Sequence, residues 1–341
     1  MSPALGGSSG ADTRPGGLAL LGCGHAASLH SRTLARAEPD WPRYYASRDR
    51  AKAAAFCERQ GGAGWFPDYD AALRDDRVTT VMVLTPPAMH LEWTLNALEA
   101  GKHVIVEKPA FLDAREFDLV EAAAARAERR VLVAENYAYK PLVEDLRWLF
   151  TAEPLGRLLF LQINALKQQA AEGWRTDRDR AGGGALFEGG IHWVSLLSRL
   201  GPGVRSVRAL VPGGGPLPER SIQLLFAYDQ GTVASLSYSW EVSSPLRGLR
   251  MSRAYGTSGS AAFESNGLFF STLGAPWRVR FSTGDLLGYR AMFRDFRQAL
   301  ASGGAARFTL QHARGDVELV ARAYRDAERR SDEHHERELP T

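Results

Sequence analysis

The segment Leu18-Ala19-Leu20-Leu21-Gly22-Cys23-Gly24-His25-Ala26-Ala27 carries two kinds of information. Leu18 to Leu21 is a short apolar run, as a strand covered on both faces requires. Gly22 to Ala27 reads G-x-G-x-x-A. In that spacing the first glycine permits a tight turn and the second lets the backbone approach a pyrophosphate. The small third residue lets a helix pack close to the strand. Phosphates then sit at a helix N-terminus, where free N–H groups and the dipole favour anions. Glycine-rich turns are common, so the motif gains its weight from context: an apolar strand before it and a helical pattern after it. Gly22, Gly24, His25 and Ala27 are therefore cofactor-binding candidates.

Outward from this turn, the pattern alternates. Strands are expected at 44–46, 78–84, 103–106 and 131–134. Helices are expected up to about Ala37 and at 50–60, 68–73, 88–100 and 114–129. Strand alternating with helix means right-handed crossovers and a parallel sheet. Residues 17–138 thus read as a Rossmann dinucleotide-binding domain of α/β class. After about Lys140 the strands lengthen, at 158–167, 204–211, 221–228, 232–242 and 249–255, with Asp229-Gln230-Gly231 as a hairpin signal. Helical patterns at 289–301 and 310–328 close the chain. Residues 139–335 read as an α+β domain with a large, mostly antiparallel open sheet, for substrate binding and oligomerisation. Residues 1–16, rich in Gly, Ser and Pro, are expected to be a disordered tail. The charged end from Arg330 onward is expected to fray.

Bulk properties agree with two domains, since 341 residues exceed one typical core. A net charge of +3, with no dense Lys/Arg block and no binding motif, argues against a nucleic-acid partner. No apolar run is long enough to span a bilayer, so no membrane partner is expected. Leu20-Leu21-Gly22-Cys23 resembles a lipoprotein cleavage box, but the residues before it are polar rather than apolar. Cys23 and Cys57 are the only cysteines; both are expected to be free thiols in a reducing cytoplasm.

The end of the second strand bears on cofactor choice. An acidic residue there ordinarily binds the ribose 2′-hydroxyl of NAD. Here the chain reads Ala46-Ser47-Arg48-Asp49. Ser47 takes the place of the acid, and Arg48 can pair with a 2′-phosphate and stack on adenine. NADP(H) is expected over NAD(H). The alternative is that Arg48 is a solvated loop residue and Asp49 holds the ribose.

Three further stretches carry a resemblance. They are Thr85-Pro86-Pro87-Ala88-Met89-His90, the run Ala97 to Pro109 ending in Glu107-Lys108-Pro109, and Gly182-Gly183-Gly184-Ala185-Leu186-Phe187-Glu188-Gly189-Gly190-Ile191-His192. With the glycine turn, this set resembles the Gfo/Idh/MocA family of glucose–fructose oxidoreductases and inositol dehydrogenases, over nearly the whole chain after the tail. The resemblance implies a catalytic Lys108 and cofactor contacts from Thr85, Pro86, His90 and Glu107. It also implies that Trp174 and Arg175 lie near the cofactor. Glu107 to Pro109 would lie at the C-terminal end of a parallel strand, where open α/β sheets place ligands. Pro109 can hold a cis peptide.

If residues 182–192 are helical, Glu188 and His192 lie four apart on one face. His192 can exchange a proton near neutral pH, and a carboxylate can orient it. The family carries Asp where Glu188 stands, and often Asp where Ser195 stands. Asn136 and Tyr137 follow the last Rossmann strand and are candidates for nicotinamide or substrate contact. Lys167 and Arg178 are candidates for substrate oxygens. No third metal ligand stands at a sensible spacing from Glu188 and His192, so no metal is expected. The expected activity is alcohol–ketone interconversion on a sugar, sugar nucleotide or cyclitol. His192 would exchange the proton, Glu188 would tune it, and Lys108 would polarise the substrate oxygen. Alternatives are a non-catalytic NADP-binding regulator and a family oxidoreductase acting on a non-sugar substrate. The resemblance also implies a homodimer or homotetramer built on the second sheet.

Overall fold

Leu18 to Leu21 are fully buried, which at about 1.5–3 kcal/mol for each large apolar side chain makes this strand a natural sheet centre. In a computed structural model it becomes β1 (Gly17–Leu21). The structure describes residues 16–170, 172–214, 218–243, 249–274 and 277–338, so the expected tail lies outside it except for Gly16. β1 is joined by β2 (Arg43–Ala46), β3 (Gly64–Phe66), β4 (Val78–Val83), β5 (His103–Glu107) and β6 (Val131–Ala134). All pair in parallel, in the order β3-β2-β1-β4-β5-β6. The order reverses between β1 and β4, and ligand crevices open at the C-terminal ends of strands at such a switch point. The sequence reading omitted β3, which at three residues is too short to show a period.

The connecting helices are α1 (His25–Ala37), α2 (Arg50–Gln60), α3 (Tyr69–Arg74), α4 (His90–Glu99) and α5 (Ala114–Ala127). Asp49, Asp68 and Asp113 start α2, α3 and α5, each side chain accepting a backbone N–H in the first turn. Such a cap is worth about 1 kcal/mol.

The second half opens with α6 (Pro141–Thr151), which the sequence reading also omitted, and then β7 (Leu158–Leu166). After α7 (Arg178–Ala181) and α8 (Ile191–Leu197) come β8 (Val204–Leu210), β9 (Ser221–Tyr228), β10 (Val233–Ser239) and β11 (Met251–Gly256). β12 (Gly259–Glu264), β13 (Phe269–Gly274) and β14 (Arg278–Phe281) complete an eight-stranded sheet, ordered β14-β13-β12-β11-β7-β10-β9-β8. Every neighbouring pair is antiparallel except β7 with β10. The Asp229-Gln230-Gly231 turn does join β9 to β10, with the Gly231 N–H donating to the Tyr228 carbonyl at 2.9 Å. Along β7 the residues Leu161, Ile163 and Ala165 are buried, while Phe160 and Gln162 are exposed on the other face.

Two helices finish the chain. α9 (Tyr289–Ser302) packs on α1 of the parallel sheet, with Phe293 edge-on to His30 at 5.5 Å and Arg297 paired to Glu38 at 2.8 Å. α10 (Leu310–Glu338) lies against β8, α8 and α5. It does not end at Glu328 as the pattern predicted. Pairs such as Arg330 with Asp326, four residues apart at 2.9 Å, extend it through the charged stretch. Among the described residues, no helix is long and apolar enough to cross a membrane.

Candidate active site

The glycine turn leaves the end of β1 with Gly22 at φ +120°, a conformation that a side chain disfavours; a Cβ there would meet the Leu84 carbonyl oxygen at 2.9 Å. Gly24 is the N-cap of α1 and offers no side chain to cover the helix start. A Cβ on it would meet nothing within 4 Å, so the helix N-terminus faces open space. Ala27 is fully buried against the sheet. This geometry fits a dinucleotide pyrophosphate.

At the end of β2, Ser47 is buried and its hydroxyl accepts the Asp49 N–H at 3.2 Å. Asp49 is committed to capping α2, accepting the Lys52 N–H at 3.0 Å. Arg48 is exposed beside them.

The catalytic candidates meet where the two sheets approach. The Lys108–Pro109 peptide is cis, and the Lys108 Nζ donates to the Glu188 carbonyl oxygen at 2.7 Å. Lys108, Tyr137, Lys167, Glu188 and His192 line one cavity of about 440 Å³, with His25 of the glycine turn at its rim. The carboxylate that holds His192 is Glu135, not Glu188. His192 Nδ1 lies 2.7 and 2.9 Å from the two Glu135 oxygens. A carboxylate only accepts, so Nδ1 carries the proton and Nε2 keeps its lone pair. The expected pairing through an α-helical turn fails because residues Leu186–Gly190 form a π-helix, whose wider turn breaks the four-residue spacing. Glu188 still lines the cavity, but its carbonyl, rather than its carboxylate, receives Lys108.

Glu135 sits at the C-terminal end of β6, is 2% exposed, and also accepts the Tyr137 N–H at 2.9 Å. The Tyr137 ring then stacks on His192, centroids 4.5 Å apart and planes 14° apart. A second carboxylate–imidazole pair stands behind Lys108. Glu107 accepts from His30 Nε2 at 2.8 Å and from the Lys108 N–H at 2.5 Å. Burial pushes the Glu107 carboxyl up, but the His30 hydrogen bond and nearby positive charge outweigh it and hold its pKa at about 2. The sequence reading missed Glu135 and His30. Glu135 could have been found as the acid at a parallel strand end, next to Asn136.

Several other expected cofactor residues have different roles. His90 is buried, with Nδ1 2.9 Å from the Pro109 carbonyl oxygen and Nε2 2.9 Å from that of Thr85. Burial lowers the pKa of the ring, and whichever nitrogen carries the proton donates to one of these carbonyls, so His90 sits wedged between the Thr85-Pro86 loop and the Lys108–Pro109 peptide, away from the cavity lining. Thr85 is itself buried. Asn136 donates from Nδ2 to the Leu287 carbonyl at 2.6 Å, anchoring the entry to α9 instead of facing a ligand. Trp174 is partly exposed on the turn 173–176. The side chains of Arg175 and Arg178 lie outside the described residues. Glu219, also missed, holds the π-helical turn by accepting the Leu186 N–H at 2.7 Å. Cys23 and Cys57 are buried free thiols, as expected.

Lys140 lies under the stack, its Nζ 4.0 Å from the Tyr137 ring centroid and without a hydrogen-bond partner. Burial, reinforced by the Arg250 charge, lowers its pKa from 10.5 to about 7. Between those values the unfolded chain binds a proton that the folded chain lacks, so this residue makes stability rise with pH. Below pH 7 both states hold the proton and the slope vanishes. Urea denaturation from pH 7 to 10 should show this rise, and Lys140→Met should flatten it. Equal slopes in the two proteins would contradict the assignment.

Residues 17–135 match a family described as "Oxidoreductase family, NAD-binding Rossmann fold", and residues 143–262 match the GFO/IDH/MocA C-terminal domain. The chain belongs to the Gfo/Idh/MocA family of NAD(P)-dependent oxidoreductases. It is 32% identical over 234 residues to dTDP-3,4-didehydro-2,6-dideoxy-alpha-D-glucose 3-reductase of Streptomyces violaceoruber, covering 63% of this chain and 66% of that one. It is 26% identical over 294 residues to D-xylose 1-dehydrogenase (NADP(+)) 2 of Haloferax volcanii, covering 83% and 88%. The fold is that of a levoglucosan dehydrogenase solved with NADH and levoglucosan: TM-score 0.79, 20% identity, 92% of this chain and 97% of that one. Three of the curated relatives are matched over only 58%, 66% and 45% of their own length.

Proposed function

We propose that the protein is an NADP(H)-dependent oxidoreductase interconverting a secondary alcohol and a ketone on a sugar, sugar nucleotide or cyclitol. One observation carries this reading: Lys108 and His192 line a single cavity, with His192 Nδ1 held by a buried Glu135. A dinucleotide held by its pyrophosphate at Gly22 and Gly24 and by its 2′-phosphate at Arg48 would supply or take the hydride from its nicotinamide. His192 Nε2 takes the hydroxyl proton, and Glu135 stabilises the imidazolium that results. Lys108 has ammonium N–H groups beyond the one given to Glu188, and these polarise the substrate oxygen. The sugar chemistry in the relatives' names supports the substrate class. Screening the protein against keto-sugars and cyclitols, with NADPH absorbance as readout, tests it; no turnover of any polyol or keto-sugar would overturn it.

The cofactor preference rests on Arg48, exposed at the end of β2 where an acid would serve NAD. The kcat/KM for NADP(H) should exceed that for NAD(H), and Arg48→Ala should narrow the gap by weakening the phosphorylated form selectively. Equal values in the wild type, or a preference for NAD(H), would refute this.

A homodimer or homotetramer is part of the same proposal. One face of the second sheet exposes Leu225, Val233, Phe160 and Met251 on the neighbouring strands β9, β10, β7 and β11, a row of apolar side chains that a second copy would cover. Light scattering at micromolar concentration should return a multiple of 37.4 kDa; the monomer mass would contradict it. The two buried free thiols support a reducing compartment, the cytoplasm.

A further inference from the structure

The cavity that holds Lys108 and His192 has an unequal charge balance. Among the described residues, lysine and arginine contribute Lys108, Lys167 and Arg250 to its lining, and Asp and Glu contribute Glu188. Neither Arg250 nor the excess of cations is needed to move a hydride or a hydroxyl proton. The parallel sheet supplies Lys108, at the end of β5. The second sheet supplies Lys167 and Arg250, which stand at the same end of neighbouring antiparallel strands: Lys167 just after β7, Arg250 just before β11.

Arg250 is the informative member of the pair. Its guanidinium lies 5.8 Å from the Trp193 ring centroid, and Nη2 donates to Asn266 Oδ1 at 2.9 Å. Its Nε is buried with no hydrogen-bond partner, and no ion pair to a carboxylate forms among the described residues. A carboxylate stands close by, but it is used elsewhere. Glu264 accepts the Asn266 N–H at 2.9 Å and the Asn266 Nδ2 at 3.1 Å, closing the turn after β12, and meets Arg250 only at its main-chain N–H. The neighbouring charge is relieved instead at Lys140, whose pKa falls to about 7 under burial and the Arg250 field. Arg250 thus reaches the cavity wall without a carboxylate partner among the described residues, and the guanidinium N–H groups not used by Asn266 are of the kind that bind carboxylate and phosphate oxygens.

Resting on the function proposed above, we infer that the substrate carries an oxyanion, a carboxylate or a phosphate ester, and that Arg250, with Lys167 beside it, is the specificity residue that holds it. The neutral hydroxyl that reacts lies at Lys108 and His192; the charged group lies on the wall that the second sheet provides.

The test compares a neutral hexose with the corresponding hexuronate, hexose 1-phosphate and nucleoside-diphosphate hexose. Binding to the NADPH-loaded protein is measured by calorimetry and turnover by NADPH absorbance. At least one anionic sugar should bind roughly 10²-fold more tightly than the neutral parent, the scale of a desolvated charge pair. The carboxylate and phosphate arms show which oxyanion it is. Arg250→Met should remove most of that advantage, through KM more than kcat, and weaken the anionic sugar far more than the neutral one. Arg250→Lys, which keeps the charge but loses the fork, should recover only part. Lys167→Met gives an independent, smaller loss if Arg250→Met fails to fold. Equal binding of neutral and anionic sugars, or no binding of any anionic sugar, overturns the oxyanion site. Tight, Arg250-dependent binding without turnover overturns the proposed reaction and leaves the site standing.

Discussion

His192→Ala is expected to lower kcat by about 10²–10⁴-fold, the usual worth of a placed proton-transfer group. Lys108→Ala should fall in the same range, because in the proposed reaction its ammonium polarises the oxygen whose charge changes. Cofactor affinity should change little in either variant, since the glycine turn at the start of α1 remains. The double variant should lose far less than the product of the two, because both groups act on one oxygen and its proton. Single-turnover rates on a verified substrate, with separate cofactor titrations, measure all of this. Near-normal turnover by His192→Ala would remove it as the base. Tyr137 would not readily replace it, because burial raises its phenol to about 12.

The second large effect is expected at Glu135. Glu135→Gln keeps the shape but replaces an obligate acceptor with an amide that can donate. His192 Nδ1 then no longer has a carboxylate to fix its proton, and the imidazolium loses its buried counter-charge. The kcat should fall by roughly 10²-fold or more. Glu188→Gln should be far milder, because the contact it gives Lys108 comes from the main chain. If Glu188→Gln proves the more damaging, the assignment of the two carboxylates is reversed.

The contrast between these two acids shows what the sequence could and could not convey. The parallel sheet was legible because β1, β4, β5 and β6 are apolar runs separated by helical periods. The cluster of Lys108, Tyr137, Lys167, Glu188 and His192 was legible too, from strand ends and a resemblance. Glu135 could be picked out as an acid at a strand end, but its pairing with His192 could not, because the two lie 57 residues apart and nothing local links them. The π-helical turn was equally hidden: glycine-rich sequence is compatible with several turn widths, and the choice is made by Glu219, which arrives from a distant loop. β12 to β14 were missed for a different reason. Small residues such as Gly259, Ser260, Ala261 and Ala262 blur the two-residue alternation, and β14 has both faces largely open to water. The omission of α6 was avoidable, since Leu142, Val143, Leu146, Leu149 and Phe150 recur at helical spacing after a proline suited to a first turn.

The return of α9 to α1 has a consequence for how the protein is made. A ribosome delivers the chain from its N-terminus, and a domain whose residues are contiguous can close as soon as they emerge. Here the parallel sheet is synthesised by Ala134, yet Tyr289, Phe293 and Arg297, which cover His30 and pair with Glu38, come more than a hundred residues later. Until they are translated, one flank of the nucleotide cradle stays uncovered, with the imidazole of His30 and its apolar surroundings in water. The first half of the protein is written early but completed last, and the nascent chain must pass its second sheet before its first can settle.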